Sequence, residues 1–335
     1  MSNTSKQIKQ PAFSRRQVLQ SFGLGAVGLG LAACQPIQPV VGGITAASKL
    51  APIPHSVAFY RTQLGDFQVT VIGDGIISLE SAMLGVNAPE GGVDELLATH
   101  NLPTGNVKVG INALLIETGD KRILLDTGMG DFRGLGDNVG HLAATLALLQ
   151  IKPTAINAVV LSHMHPDHIA GATLDDKPVF PNATYYLPQA EWDFLNAGPT
   201  NSPLDDFINL ANAKLAPIQA NDQLTLYSAG DELVSGIQAV AALGHTPGHH
   251  ALLVASGNSQ LLYLADTVAN SLVHLQHPEW VFGFDTLPDV SITTRQQLLN
   301  RVADEQLQVV AAHFPFPGVG YISRSGDAFH YVAAG

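Results

Sequence analysis

One cysteine, two tryptophans and a charged fraction of 13% leave this 335-residue chain short of several things at once. The single thiol, Cys34, excludes a disulfide within the chain and any cysteine-rich metal knot. Lys and Arg number 16 against 28 acids, for a formal charge of −12. Gripping a phosphate backbone needs a concentrated basic face, so nucleic acid is not an expected partner. No apolar run reaches the roughly 18 residues that cross a bilayer as a helix. There is no G-x-S-x-G either, which removes the usual serine nucleophile turn. What the chain does have is 46% apolar residues, enough to bury a large core in one domain.

The first 33 residues differ from the rest. They carry Lys6, Lys9, Arg15 and Arg16 and no acid, and the first carboxylate of the chain is Asp66. The run SFGLGAVGLGLAA after Arg16 has the length of a signal-peptide core. SRRQVL ahead of it resembles a twin-arginine export signal, the route taken by proteins exported already folded. LAAC, ending at Cys34, resembles a lipobox, in which the thiol would receive a lipid. Residues 34–57 are rich in Pro, Gly and small side chains and read as a tether. The expected organisation is therefore a leader over 1–33, a tether over 34–57 and a catalytic domain over 58–335. The expected location is the periplasm or cell envelope, with membrane attachment only through Cys34. GLGAVG, at residues 23–28, matches a dinucleotide-binding pattern letter for letter, but no strand precedes it and no acid follows about 20 residues on.

From Phe59 onward, short apolar runs alternate with Gly turns and helical stretches. FQVTVIGDG, VGINALLIETG and RILLDTG read as an opening antiparallel set. Helical spacing appears over Val139–Gln150, Pro203–Leu215 and Ser291–Gln306. Between them AVVLSH, ATYYLP, IQAVAALGH, ALLVAS, LLYLAD and LQVVAAH are too apolar to have one wet face, so they read as inner strands covered by helices. Five such strands end in Asp126, His163, His245, Asp266 and His313. Ionisable groups leaving buried strands are costly unless paired or bound to a metal, so their recurrence points to one polar site at a shared sheet edge.

LSHMHPDHIAG is the densest point, with three histidines and an aspartate between His163 and His168. His163 and His165 are two apart on extended chain, so their rings point the same way, and Pro166 turns Asp167 and His168 in from another direction. A lone histidine is more often a satisfied core or surface residue. Four ligand types in six positions, joined by three distant strand-end residues, point to metal.

These motifs resemble the metallo-β-lactamase superfamily: H-x-H-x-D-H stands here as His163, His165, Asp167 and His168, GHTPGH places His245, LADT places Asp266, AAHF places His313, and LLDTG places Asp126. The resemblance implies an α+β fold, a four-layer αββα sandwich, with two divalent metal ions. His163, His165 and His245 would hold one and Asp167, His168 and His313 the other, with Asp266 shared. The ligand types suit zinc, with manganese, iron or cobalt as alternatives. A hydroxide held between the ions, its pKa lowered from 15.7 to roughly 7, would be the nucleophile, with Asp167 and Asp266 the carboxylates at the reaction centre. Asp126 would orient a ligand imidazole and His249 would stand just outside the ligands, while His250 reads as structural. His55, His100, His141, His274, His277 and His330 have no spacing argument.

Zinc β-lactamases often carry Cys where Asp266 stands, and glyoxalase II adds a C-terminal helical domain that the short tail after His313 does not supply. FYRTQLGDFQVTVIGDG and AAHFPFPGVGYISRSGDAFHYV look like methyl parathion hydrolase and its exported relatives, although Ala265 stands where Gly is common. That likeness implies cleavage of organophosphate triesters, lactones or activated esters with a small apolar substrate, an aromatic-lined pocket drawn from Phe132, Trp192, Phe194 and Phe207, and pairing as a homodimer. An N-acyl-homoserine lactone lactonase is the alternative. More distant are a mononuclear iron dioxygenase on the same fold and a non-catalytic binding lipoprotein.

Overall fold

The computed structural model describes residues 58–334. The leader, Cys34 and the tether lie outside them. Strands β1 (Ala58–Leu64), β2 (Phe67–Glu80), β3 (Asn106–Glu117) and β4 (Arg122–Leu125) run antiparallel in chain order. β5 (Ala158–Val160) pairs parallel with β4. After a short hairpin of β6 (Thr173–Leu174) and β7 (Lys177–Pro178), β8 (Thr184–Pro188) and β9 (Leu224–Tyr227) extend the same sheet in parallel. The second sheet, also of seven strands, follows chain order through β10 (Glu232–Val234), β11 (Ile237–Ala241), β12 (His250–Ser256), β13 (Ser259–Tyr263), β14 (Gln308–Val310), β15 (Val319–Ser325) and β16 (Ala328–Ala333). Only its β13–β14 pair is parallel.

Helices fill the outer layers. The helical segments are α1 (Gly92–Thr99), α2 (Leu142–Leu148), α3 (Pro166–Ile169), α4 (Gln189–Asn196), α5 (Leu204–Ala220), α6 (Val273–Gln276) and α7 (Pro288–Asp304). Along β3 the alternation of side chains assigns each face. Leu114 and Ile116 pack between the sheets with Val254, Tyr263 and Val310, while Ala113 and Leu115 pack outward with Leu146 of α2 and Ile208 and Leu215 of α5. Leu298, Leu299 and Val302 of α7 cover Leu262 and Val309 on the far side of the second sheet. This is the four-layer αββα sandwich. It explains why the central strands are apolar on both faces, whereas the outer strands β1, β15 and β16 keep exposed positions. Each large side chain buried this way stabilises the fold by roughly 1.5–3 kcal/mol.

The helical spacing over Val139–Gln150 yields a shorter helix than expected, Leu142–Leu148. Gly140 has φ +81 and its N–H goes to the Asp74 carboxylate, so the chain turns there before the helix begins. Helix α5 runs on past Leu215 to Ala220, and α7 opens three residues earlier than its apolar spacing, with Pro288 at the first helical position, where its missing N–H costs nothing.

The strand ends converge because of the two parallel pairs. β4 and β5 point the same way, which brings Asp126 and His163 to one edge, and β13 and β14 do the same for Asp266 and His313.

Candidate metal centre

His163, His165, Asp167 and His168 follow β5. His165 is extended (φ −66, ψ 152), and Pro166 then starts the single turn of α3, which carries Asp167 and His168. His245 lies in the turn after β11, Asp266 in a 3₁₀ turn after β13, and His313 in the turn after β14. All seven are buried. Their ligand atoms fall into two groups, His163, His165, His245 and Asp266 in one and Asp167, His168 and His313 in the other, each within 4.8 Å internally. The seven residues marked by the motifs are thus brought together, with Asp266 falling in the first group.

Asp266 stands between the groups. Its Oδ2 is 3.2 Å from His245 Nε2 and 3.0 Å from His313 Nε2, and its Oδ1 is 3.0 Å from His168 Nε2. The preceding Ala265 has φ +44, a left-handed conformation that costs an alanine about 1 kcal/mol or more and explains why glycine suits this place. Behind the turn, His249 donates from Nδ1 to the Ala242 carbonyl, and its Nε2 accepts the Asp266 main-chain N–H at 3.0 Å. His250 sets its ring edge-on to Tyr227 and donates from Nδ1 to the Gly248 carbonyl. Asp126, at φ +60, takes four donors: His168 Nδ1 at 2.7 Å, the Ser162 N–H and hydroxyl, and the Tyr263 hydroxyl.

These side chains fit a divalent cation pair. The Nε2 atoms of His163, His165 and His168 and Oδ1 of Asp266 are buried without a hydrogen-bond partner, an arrangement that is costly unless a cation satisfies it. Burial, reinforced by His168, pushes the His163 imidazole well below its usual range, and burial with His245 does the same to His165. Neutral imidazoles are the form a metal accepts. Against their burial, His313, His168 and His245 hold Asp266 well below the usual carboxylate range, and His168 and His313 hold Asp167 at about 2.

Several buried carboxylates that the motifs do not mark hold the ligand loops. Glu191 on α4 accepts the Gly248 N–H at 2.6 Å and the Met164 N–H at 3.0 Å, which ties the HMHPDH loop to the GHTPGH loop. A Cβ at Gly248 would run into the Glu191 backbone, so glycine is required for that approach. Asp74 at the bend of β2 accepts the N–H groups of Met129, Gly140 and Leu142 and so shapes the loop beyond β4. Gly128 (φ +67) passes so close that any side chain there would meet that carboxylate.

Burial lifts the Asp74 carboxyl to about 6, outweighing its three N–H donors. Since 3.8 is the ordinary value, the folded form keeps its proton where the unfolded form has lost it. Stability from this group is full below pH 3.8 and falls by about 3 kcal/mol as pH rises through 6. In urea titrations at pH 4, 5, 6 and 7, Asp74→Asn is expected to gain on the wild type by this amount across the series. A constant gap between the two proteins would contradict it.

A pocket opens directly over His165, Asp167, His245, Asp266 and His313. One wall is aliphatic, with Ile77 and Leu79 from β2, Val109 from β3 and Leu135. The other is aromatic, with Phe207 from α5 and Phe282 and Phe284 from the segment before α7. Of the four aromatics expected there, only Phe207 lines it. Trp192 and Phe194 sit on α4 and pack against the core beneath the first sheet, as aromatics at helical spacing commonly do. Phe132 packs with Ile77, Val109 and Met129 beside the wall. Phe282 and Phe284 escaped the sequence reading because VFGFDTL carries no ligand motif, although an aspartate inside so apolar a stretch was a signal.

Fold and site together define a metal-dependent hydrolase scaffold with two adjoining His/Asp clusters suited to divalent cations. Residues 107–313 match the metallo-beta-lactamase superfamily, and the chain belongs to it. It is 24% identical over 240 residues to the N-acyl homoserine lactonase of Bacillus cereus, covering 66% of this chain and 88% of that protein. Among solved structures, it is similar to AidC, a dizinc quorum-quenching lactonase solved in complex with a product, with 28% identity, a TM-score of 0.79, and coverage of 83% of this chain and 98% of that one. It is also similar to AbOPH, a hydrolase in the beta lactamase superfamily, with 26% identity, a TM-score of 0.77, and coverage of 84% and 99%.

Proposed function

We propose that the protein is an exported dizinc lactonase acting on small lactones with an apolar acyl chain, of which N-acyl homoserine lactones are the leading class. The observation that carries this reading is the pocket, where a polar cluster of ligands forms the floor and the walls above it are entirely apolar. An uncharged ester head would reach the floor while a hydrocarbon tail lies between the aliphatic and aromatic walls. The likeness to AidC and to the Bacillus cereus lactonase supports the same class.

Bound zinc ions would supply Lewis-acid polarisation of the ester oxygen and activation of water at neutral pH. His163, His165, His245 and Asp266 would hold one ion, and Asp167, His168 and His313 the other, with Asp266 reaching both groups. Asp126 fixes the His168 ring by accepting its Nδ1 proton, so that Nε2 faces the centre. Phe207, Phe282 and Phe284 orient the tail and keep bulk water from the reacting carbonyl.

The test is kcat/KM on zinc-loaded protein with homoserine lactones of increasing acyl length and with an aryl phosphotriester. Lactones are expected to be faster, with a gain of up to about fourfold per added methylene while the tail still fits. A phosphotriester preferred by orders of magnitude would favour the second reading, a methyl parathion hydrolase-like phosphotriesterase, which the motifs around Phe59 and His313 support. Export through the Arg15–Arg16 leader with lipidation at Cys34 completes the proposal, and mass spectrometry of the envelope fraction tests it.

A further inference from the structure

His245 is backed differently from the other ligand histidines. His168 leans on Asp126, whose remaining partners are the neutral groups of Ser162 and Tyr263, and His313 donates to the Gly110 carbonyl. The Nδ1 of His245 instead meets Asp285 Oδ1 at 3.0 Å, and Asp285 Oδ2 meets Arg295 Nη2 at 3.0 Å. Both members of this ion pair are almost completely buried.

Arg295 uses every edge of its guanidinium. Nη1 donates to the carbonyls of Pro278 and Trp280, Nη2 also reaches the Ser291 hydroxyl, and Nε donates to the carbonyl of Thr267, the residue after Asp266. Thr286 N–H and Leu287 N–H return to the carbonyls of His245 and Gly244. One arginine on α7 therefore ties the Asp266 turn to the later segment that carries Phe282 and Phe284 and, through Asp285, to His245. A buried ion pair adds little net stability over an apolar replacement, so its presence is better explained by what it holds in place.

Building on the two-metal reading, we infer that Asp285 and Arg295 are positioning residues for the His163–His165–His245 half of the centre and, through the same segment, for the aromatic wall of the pocket. Asp285 fixes the His245 ring with Nε2 toward the centre and strengthens it as a donor. Arg295 fixes Asp285 and the carbonyls of Pro278 and Trp280 just before Phe282. The other half of the centre has separate support in Asp126, which holds the His168 ring, and the two halves meet at Asp266.

The test uses zinc-loaded full-length protein titrated with a chromophoric chelator, which reads the two ions separately. In Asp285→Asn, which keeps size and shape, one zinc ion is expected to be lost at about 10- to 100-fold lower chelator strength while the other is unchanged. Asp126→Asn should weaken the other ion instead. Arg295→Lys, which keeps the charge but not the fork, should weaken the same ion as Asp285→Asn and raise KM for long-chain substrates more than for short ones. Equal weakening of both ions in Asp285→Asn, or no weakening, would overturn the inference. A wild type that binds fewer than two zinc ions would overturn the two-metal reading beneath it.

Discussion

Asp266→Asn is expected to lower kcat/KM by about 10³-fold, equivalent to about 4 kcal/mol of transition-state stabilisation, and to drop zinc content below the wild-type level. One carboxylate oxygen lies 3.0 Å from His168 Nε2 and the other 3.2 Å from His245 Nε2, so a single side chain serves both ligand groups. Asparagine keeps the shape but turns one of those oxygens into an amide nitrogen and removes the charge. The fold should survive, because the bond between the Asp266 main-chain N–H and His249 does not involve the side chain. Metal analysis alongside steady-state kinetics checks both parts. A variant with full turnover and full zinc would show that the carboxylate is not shared.

Glu191→Ala is expected to destabilise the zinc-loaded protein by about 3–5 kcal/mol in urea denaturation, a large share of the 5–15 kcal/mol typical of a folded domain. Glu191 is fully buried, and its two oxygens satisfy Met164 N–H and Gly248 N–H on separate loops. Removal leaves two buried donors unpaired, each costing about 1–3 kcal/mol, together with a cavity. Glu191→Gln keeps one acceptor and should lose roughly half as much, since its amide nitrogen would face a donor. Because Met164 lies between His163 and His165, the alanine variant should also release zinc more readily. A loss below 1 kcal/mol with unchanged zinc retention would contradict this role.

The convergence of these seven side chains was legible because buried apolar strands that end in His or Asp leave few chemical explanations, and because HMHPDH concentrates four of them within one turn. The sandwich was legible for a related reason, since strands such as ALLVAS and LLYLAD need cover on both faces. The supporting residues were not. Glu191 stands in the first turn of a helix, where an acid normally faces water, and only the approach of Gly248 shows that it faces inward. Arg295 occupies a helix whose spacing marks it as one more polar position among TTRQQ. Trp192 and Phe194 misled for the converse reason, because an aromatic side chain fills a core as readily as it lines a pocket.

Neither sheet owns a complete set of donors for either ion. The stretch after β5 contributes His163 and His165 to one group and Asp167 and His168 to the other, and the second sheet brings His245, Asp266 and His313. A full set of donors for either cation therefore exists only once the two sheets have docked, because His245, Asp266 and His313 all come from the second. Either sheet by itself would offer only part of a donor set, and cation selectivity rests on the full number and geometry of the donors. Affinity for cations is thus a property of the docked sandwich and of neither sheet alone.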